Sequence, residues 1–347
     1  MLANSLPIAA DFNSYGMLED TSGYLTRPTR ISGEVSKREW TLEQLCGEGG
    51  LGFELISVKE GSGPLPLIDK NNKVFGCLAP PPDNDEKLAS DLNEAATAAV
   101  ERERDGKAGL LFVTSEGDHR RGKYLAKSDG ISLGGGQTRP KRIYHSKKTA
   151  ASLDRLRHEH AFIKIAGHAS AVFAHWSPTL FKYYAETMDK LKMNDPSLQF
   201  NFSNSIFACV TYNCGPQTVA VEHLDWLNYL YGWCAVTSFG CFNYKKSGHL
   251  VFWDLKLVVE FPPCWTFLFP SSYLRHSNTC IGPGETRYSF TQYTAGALFR
   301  YVDDDFQIRS DMEDYIRKEA QSKQKDRINS DLNIYSTLEQ LQVLYNS

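Results

Sequence analysis

The chain lacks any apolar run approaching the roughly 18–20 residues that span a bilayer, so no membrane-crossing segment is expected. Met1–Ser14 has neither a basic start nor a long apolar stretch, so it does not read as a signal peptide. Neither sign of charge is in excess: 38 Lys+Arg face 41 Asp+Glu, a net of −3. That excludes a uniformly basic nucleic-acid binder but not a local basic patch. The eight cysteines include no CxxC pair and none beside an HxxxH. Their density is too low for a disulfide scaffold and their spacing is wrong for zinc. They read as free thiols packed as small hydrophobes, which suits a reducing compartment, cytosol or nucleus. There is no internal repeat, no low-complexity tract, and no GxGxxG or Walker pattern.

What is present is an ordinary globular composition, 41% hydrophobic and 23% charged, over 347 residues, enough for one large domain or two modest ones. Charge is unevenly spread. Arg120–Lys164 holds twelve Lys/Arg against Asp129, Asp154 and Glu159, a net of +9 that leaves −12 for the rest. Either a solvated helix face or a phosphate-facing surface accounts for such a cluster. Pro80-Pro81-Pro82 stops any regular element, and Asp83–Asp105 follows as a polar helix with acidic residues at its start. Ala108–Thr114 reads as a strand. Thr149–Ile165 and Ser177–Lys192 read as helices, the second with Ser177 as N-cap and Pro178 in its first turn. The tail, Asp311–Leu344, reads as helix broken near Asn329-Ser330.

The character changes at Asn201. Of the 42 aromatics, 22 fall between Asn201 and Val302. Eight short runs rich in Val, Phe, Tyr, Trp and Thr follow one another there: Ser205–Tyr212, Thr218–His223, Cys234–Phe239, Leu250–Trp253, Leu257–Phe261, Thr266–Phe269, Tyr273–His276 and Arg287–Thr294. Short strands at this spacing predict a sandwich or a jelly roll.

Within that region sits His223-Leu224-Asp225. On a strand, positions i and i+2 share a face, so both side chains can reach one ion. His276 follows after several strands, the return distance that brings a jelly-roll strand back alongside. Two imidazoles and a carboxylate on one face form the triad of non-haem iron(II) oxygenases, with open positions for an oxo acid and dioxygen. Arg287, on the next strand, can clasp a distal carboxylate bidentately, and Ser289 adds a hydroxyl on the same face. HxD alone is weak; joined to the later His and an RxS it is specific. Other residues carry less. His158 and His160 do not share a helical face. His249 reads as packing and Trp226 as core. Asp254 either closes a strand end or rims the mouth of the site and accepts an exocyclic N–H.

From about Leu133 to Phe306 the chain resembles the TET/J-binding-protein family of Fe(II)- and 2-oxoglutarate-dependent DNA base oxygenases, most closely its fungal members. The matching stretches are Gly134-Gly135-Gly136, Trp176-Ser177-Pro178 through Tyr184, Asn213-Cys214-Gly215-Pro216 and His223-Leu224-Asp225-Trp226-Leu227-Asn228. They continue with Gly248–Lys256, Glu260-Phe261-Pro262-Pro263, His276-Ser277-Asn278 and Gly284–Phe290. The resemblance implies an α+β fold: a double-stranded β-helix (jelly-roll) core flanked by helices and an N-terminal extension. Its divisions would be 1–106 as extension, 107–200 as basic and helical support, 201–305 as catalytic core and 306–347 as C-terminal helices. It implies His223, Asp225 and His276 as iron ligands, and Arg287, Ser289 and Asn213 as the 2-oxoglutarate site. Asn228 and Tyr293 would bind and stack a flipped base, joined by Asp254 if it rims the mouth. Arg139, Lys141, Arg142, Lys147 and Lys148 would hold the DNA backbone.

The expected activity is oxidation of the methyl group of 5-methylcytosine or N6-methyladenine in duplex DNA, in the nucleus, by a monomer that needs Fe(II) and 2-oxoglutarate. The animal members carry a histidine where this chain has Ala295, which leaves the base open, and their zinc-binding Cys-rich region is absent, so no zinc site is expected. Two other readings stand beside this one: a 2-oxoglutarate oxygenase acting on a protein or small molecule, and a non-catalytic DNA-binding module with a vestigial barrel.

Overall fold

Along Thr286–Tyr293, alternate residues face opposite ways, and the two faces differ in chemistry. Arg287, Ser289 and Thr291 line an internal cavity, while Tyr288 and Phe290 join an apolar cluster beneath helices. The neighbouring strand repeats the pattern: Asn213 faces the cavity, and Val210, Tyr212 and Cys214 face the helices. A sheet with a polar inner face and an apolar outer one needs helices outside, and it has them. Phe162 is the contact, with ring centroids 5.0 Å from Tyr212 and 5.1 Å from Phe290.

The computed structural model describes residues 2–15, 23–26, 38–59, 61–107, 109–110, 112, 117–134, 136–309, 311–316, 318–319, 322 and 334–346. The elements are β1 (Ile8–Ala9), α1 (Leu42–Cys46), β2 (Glu54–Ile56), β3 (Leu65–Ile68), β4 (Val74–Ala79), α2 (Glu86–Asp105), β5 (Leu125–Ser132), β6 (Lys141–Arg142), α3 (Lys147–His158), α4 (His160–Trp176) and α5 (Pro178–Asn194). Then come β7 (Cys209–Gly215), β8 (Cys234–Cys241), β9 (Leu250–Phe252), β10 (Leu257–Val259), β11 (Thr266–Phe269), β12 (His276–Asn278), β13 (Thr286–Tyr293), α6 (Gly296–Asp303) and α7 (Leu338–Asn346).

Among the described residues the strands form a large sheet in the order β1-β3-β4-β11-β8-β13-β7-β5-β6 and a small sheet β12-β9-β10-β2. From β7 onward the chain winds between them: β7 large, the His223 bridge to β12 small, β8 large, β9 and β10 small, β11 large, β12 small, β13 large. This is a double-stranded β-helix in an α+β setting, the fold the sequence led us to expect. No described helix is long and apolar enough to cross a membrane. Of the cysteines, Cys77, Cys209, Cys214, Cys234 and Cys264 are buried and free, whereas Cys241 is exposed.

Several boundaries differ from expectation. Thr149–Ile165 is not one helix: the chain turns extended at Glu159, so α3 ends at His158 and α4 restarts and runs on to Trp176. Asp85, not a residue of the first turn, caps α2. Ser177 stands at the N-cap of α5, but its hydroxyl makes no capping bond. The described strands before residue 107 are built into both sheets. β1, β3 and β4 extend the large sheet and β2 the small one, because β3 and β4 are buried on both faces. The strand expected at Ala108–Thr114 and the helix break near Asn329-Ser330 lie largely outside the described residues.

Candidate metal centre and adjoining cavities

His223 and His276 meet because their segments pair backbone to backbone, each N–H donating to the other's carbonyl at 3.0 Å. Asp225, two residues on, is anchored by its own N–H on the Ser271 carbonyl (2.9 Å). One ligand atom from each of the three lies within 4.8 Å of the others, and all three residues are buried. They are the one such group of His, Cys, Asp or Glu found among the described residues. Nε2 of His223 and of His276 each stand 3.9 Å from an Asp225 oxygen. The Nδ1 atoms lie 2.8 Å from the carbonyls of Val221 and Leu274, which assigns Nδ1 as donor and leaves both Nε2 lone pairs facing inward.

Burial, then the neighbouring imidazole, pushes His223 well below the usual imidazole range, and burial lowers His276. Both are therefore neutral at neutral pH. Burial opposes ionisation of Asp225, but the Arg121 guanidinium and the imidazoles outweigh it and hold the carboxyl low. Arg121 Nη2 lies 2.8 Å from Asp225 Oδ1. Two neutral imidazoles and one carboxylate, tightly grouped and oriented from behind, fit a first-row divalent ion such as iron(II).

One cavity runs from this triad to Arg287 and is lined on the way by Tyr124, Asn213, Thr218 and Ser289. Arg287 is 2% exposed, and no carboxylate pairs with it among the described residues. Its Nη1 donates to the Thr218 carbonyl at 3.2 Å, and its Nε has no partner. Gly248, at φ +69°, makes room for it: a Cβ there would stand 2.9 Å from Arg287 Cδ. Burial lowers the Arg287 pKa to about 10, so the group stays charged at neutral pH. Ser289 Oγ accepts from Asn213 Nδ2 at 2.8 Å, as their register across β13 and β7 dictates.

A second cavity adjoins the first, sharing Arg121 and Asp225 with it, and is the candidate mouth of the site. Its lining includes Asn228, Tyr293, Leu133, Gly134, Gln137 and Ala295. Asn228 Nδ2 donates to Ser271 Oγ at 3.0 Å, and its backbone N–H to the Asp225 carbonyl at 2.8 Å. Tyr293 accepts from Thr211 Oγ1 at 3.4 Å, and burial raises its phenol to about 12. Trp226, read from sequence as core, is half-exposed here and lines the mouth. His249 is buried, its Nδ1 3.0 Å from Thr279 Oγ1, and plays no part in the triad.

Two expectations need correcting. Asp254 lines neither cavity. Its oxygens take the Arg275 N–H (2.7 Å) and the Arg275 guanidinium (2.8 Å), which also reaches Glu222 at 2.9 Å. Because Arg275 precedes His276 and Glu222 precedes His223, this chain of charges ties the two ligand segments from outside. The basic segment is not one cationic face either. Arg142 pairs with buried Asp129 and bonds Asn201 and Gln199, so it is structural rather than a phosphate contact. Arg120 donates to the Leu224 carbonyl, Arg155 binds Glu103 and Arg157 binds Asp154. Arg139, Lys141 and Lys147 stay exposed, and Lys148 partly so. Nothing in the sequence singled out Arg121 or Tyr124 from this segment. A cation next to a carboxylate ligand is set by tertiary contact, not by spacing.

No family model and no curated protein matches the chain. Among solved structures, NgTET1 in complex with 5mC DNA is similar at 14% identity over 70% of this chain and 83% of that one, with a TM-score of 0.47. The viral collagen prolyl hydroxylase vCPH of Paramecium Bursaria Chlorella virus-1, in complex with 2OG, is similar at 13% identity over 24% of this chain and 55% of that one, with a TM-score of 0.20.

Proposed function

We propose that this chain is an Fe(II)- and 2-oxoglutarate-dependent oxygenase of the TET/J-binding-protein type, which hydroxylates the methyl group of a methylated base in DNA. The observation that carries the oxygenase reading is the shared cavity: a buried His-Asp-His triad at one end and a buried guanidinium with no carboxylate partner at the other. A short dicarboxylic oxo acid answers both. Bound iron and oxo acid supply the oxidising chemistry. The residues of this chain set the geometry. His223, Asp225 and His276 hold the ion. Arg287 and the Ser289–Asn213 pair orient the oxo acid, and Asn228 and Tyr293 face the substrate at the mouth. A non-catalytic module has no physical need of a charged arginine in its core with no carboxylate beside it.

A methyl group on a stacked base cannot reach an ion at the foot of this mouth, so the base must be flipped out. Tyr293 offers a stacking face, and the Asn228 carbonyl oxygen forms no hydrogen bond among the described residues. The base we propose is 5-methylcytosine. The N6-methyladenine reading leaned on Asp254, whose carboxylate is taken by Arg275. We place the action on duplex DNA, in the nucleus. An oxygenase acting on a protein or small molecule is the second reading, and the inward turn of much of the basic segment is what favours it. Mass spectrometry of nucleosides from methylated duplexes, incubated with enzyme, iron(II) and 2-oxoglutarate, separates the two: an oxidised methylcytosine is expected, and unaltered nucleosides with turnover of the oxo acid on another substrate would refute the DNA reading.

The surviving cations make a sharper prediction. Replacing Lys141, Lys147 and Lys148 together by Gln should weaken binding to every DNA sequence alike and flatten the salt dependence by about three units, one per lost phosphate contact. Arg142→Ala should instead lower stability, by roughly 1–3 kcal/mol, because it strands Asp129. Fluorescence anisotropy across a salt series and urea unfolding measure the two. A triple variant with unchanged slope would mean that these lysines do not touch DNA.

A further inference from the structure

Two polar atoms of the inner cavity are buried with no hydrogen-bond partner among the described residues, Arg287 Nε and Thr218 Oγ1, and Tyr124 lines the same space. Buried polar atoms are seldom left unpaired, and two facing one space, with a phenol beside them, mark a missing ligand. We propose that Tyr124 and Thr218 complete the pocket for the distal carboxylate of the oxo acid, donating to the same carboxylate that Arg287 binds, and that Tyr124 thereby selects a dicarboxylic oxo acid. This rests on the oxygenase reading above.

The donor inventory matches the ligand. A carboxylate offers about four lone-pair sites. Ser289 Oγ accepts from Asn213, so its own hydrogen is free to donate. With Arg287 Nε, Thr218 and Tyr124 that makes four donors around one space. No acid competes: Asp225, the carboxylate that lines this cavity, is held by Arg121.

Tyr124 reaches the barrel from outside it. The Arg121 carbonyl accepts from the Val221 N–H at 2.8 Å, which docks the segment on the stretch of chain that carries Thr218 and His223. Gly122 lets the two backbones close up, since a Cβ there would lie 2.4 Å from the Val219 carbonyl oxygen. His119 then stands edge-on to the Tyr124 ring, with centroids 4.6 Å apart at 85°, and fixes its direction. Burial raises the phenol to about 12, which keeps it a donor at neutral pH.

The test titrates the Fe(II)-loaded protein without oxygen, by calorimetry, with 2-oxoglutarate and with 2-oxobutyrate, which lacks the distal carboxylate. Tyr124→Phe should raise the dissociation constant for 2-oxoglutarate roughly ten-fold, as loss of a hydrogen bond to a charged group does. Thr218→Val should raise it less, and neither should alter 2-oxobutyrate binding. Unchanged 2-oxoglutarate affinity in both variants would overturn the assignment, as would equal weakening of both acids, which signals general distortion. A wild-type protein that takes up Fe(II) but no 2-oxoglutarate would overturn the oxygenase reading itself, and this assignment with it.

Discussion

His223→Ala, Asp225→Ala and His276→Ala each abolish turnover, and each weakens Fe(II) uptake by more than the roughly 10–100-fold that follows loss of a hydrogen-bond partner behind a ligand. The three donors come from two chain segments held together by two backbone hydrogen bonds and, outside them, by Glu222, Arg275 and Asp254. Removing one side chain leaves that frame standing, so the variants should fold while failing to bind. Asp225→Ala has a second effect: it strands Arg121, whose guanidinium that carboxylate balances. It should therefore destabilise the metal-free protein more than either histidine variant. Acid should oppose the site too. Both imidazoles are held neutral, so the unfolded chain takes up protons first as pH falls below the ordinary imidazole value near 6.5, and their share of stability, full above it, is lost on acidification. Circular dichroism with Fe(II) titration checks all of this, and wild-type iron binding in any one variant would remove that residue from the triad.

Much of this centre was legible in the sequence because its signals are local. HxD on an extended segment forces two ligands to one side, and RxS on the last strand puts Arg287 and Ser289 on one face by the same alternation. The run Thr266–Phe269 is legible for a related reason: a short apolar stretch between Pro and Ser punctuation has little choice but a buried strand. What stayed hidden depends on partners distant in sequence. Arg142 and Lys141 look alike in a charge count, yet one turns inward to Asp129 while the other faces water. Asp254 could be read as a strand-end acid or a rim acid until Arg275 was beside it. The break at Glu159 was invisible because the apolar spacing runs through it. The segment before residue 107 read as an extension because its strands pair with β10 and β11, far along the chain.

Arg287→Ala raises the 2-oxoglutarate requirement by roughly ten- to a hundred-fold, about 1.5–3 kcal/mol of charge-assisted hydrogen bonding, while Fe(II) still binds. The Arg287 guanidinium donates to the Thr218 carbonyl, and its flanks are the rings of Phe242 and Phe261, each with its centroid 5.8 Å from the guanidinium carbon. The charge is thus buried without a counter-charge, a cost that the empty protein carries and a bound dicarboxylate relieves. Two consequences have opposite sign. Arg287→Met, which keeps the stem volume and drops the charge, should leave the empty protein at least as stable as wild type. Yet 2-oxoglutarate, which should raise the melting temperature of the wild type, should shift that of the variant far less. A structural arginine would behave the other way round, with the variant unstable and ligand stabilisation retained. Thermal melts with and without 2-oxoglutarate, run beside Fe(II) titrations, decide between these patterns, and an unchanged 2-oxoglutarate titration in either variant would move the carboxylate clasp elsewhere.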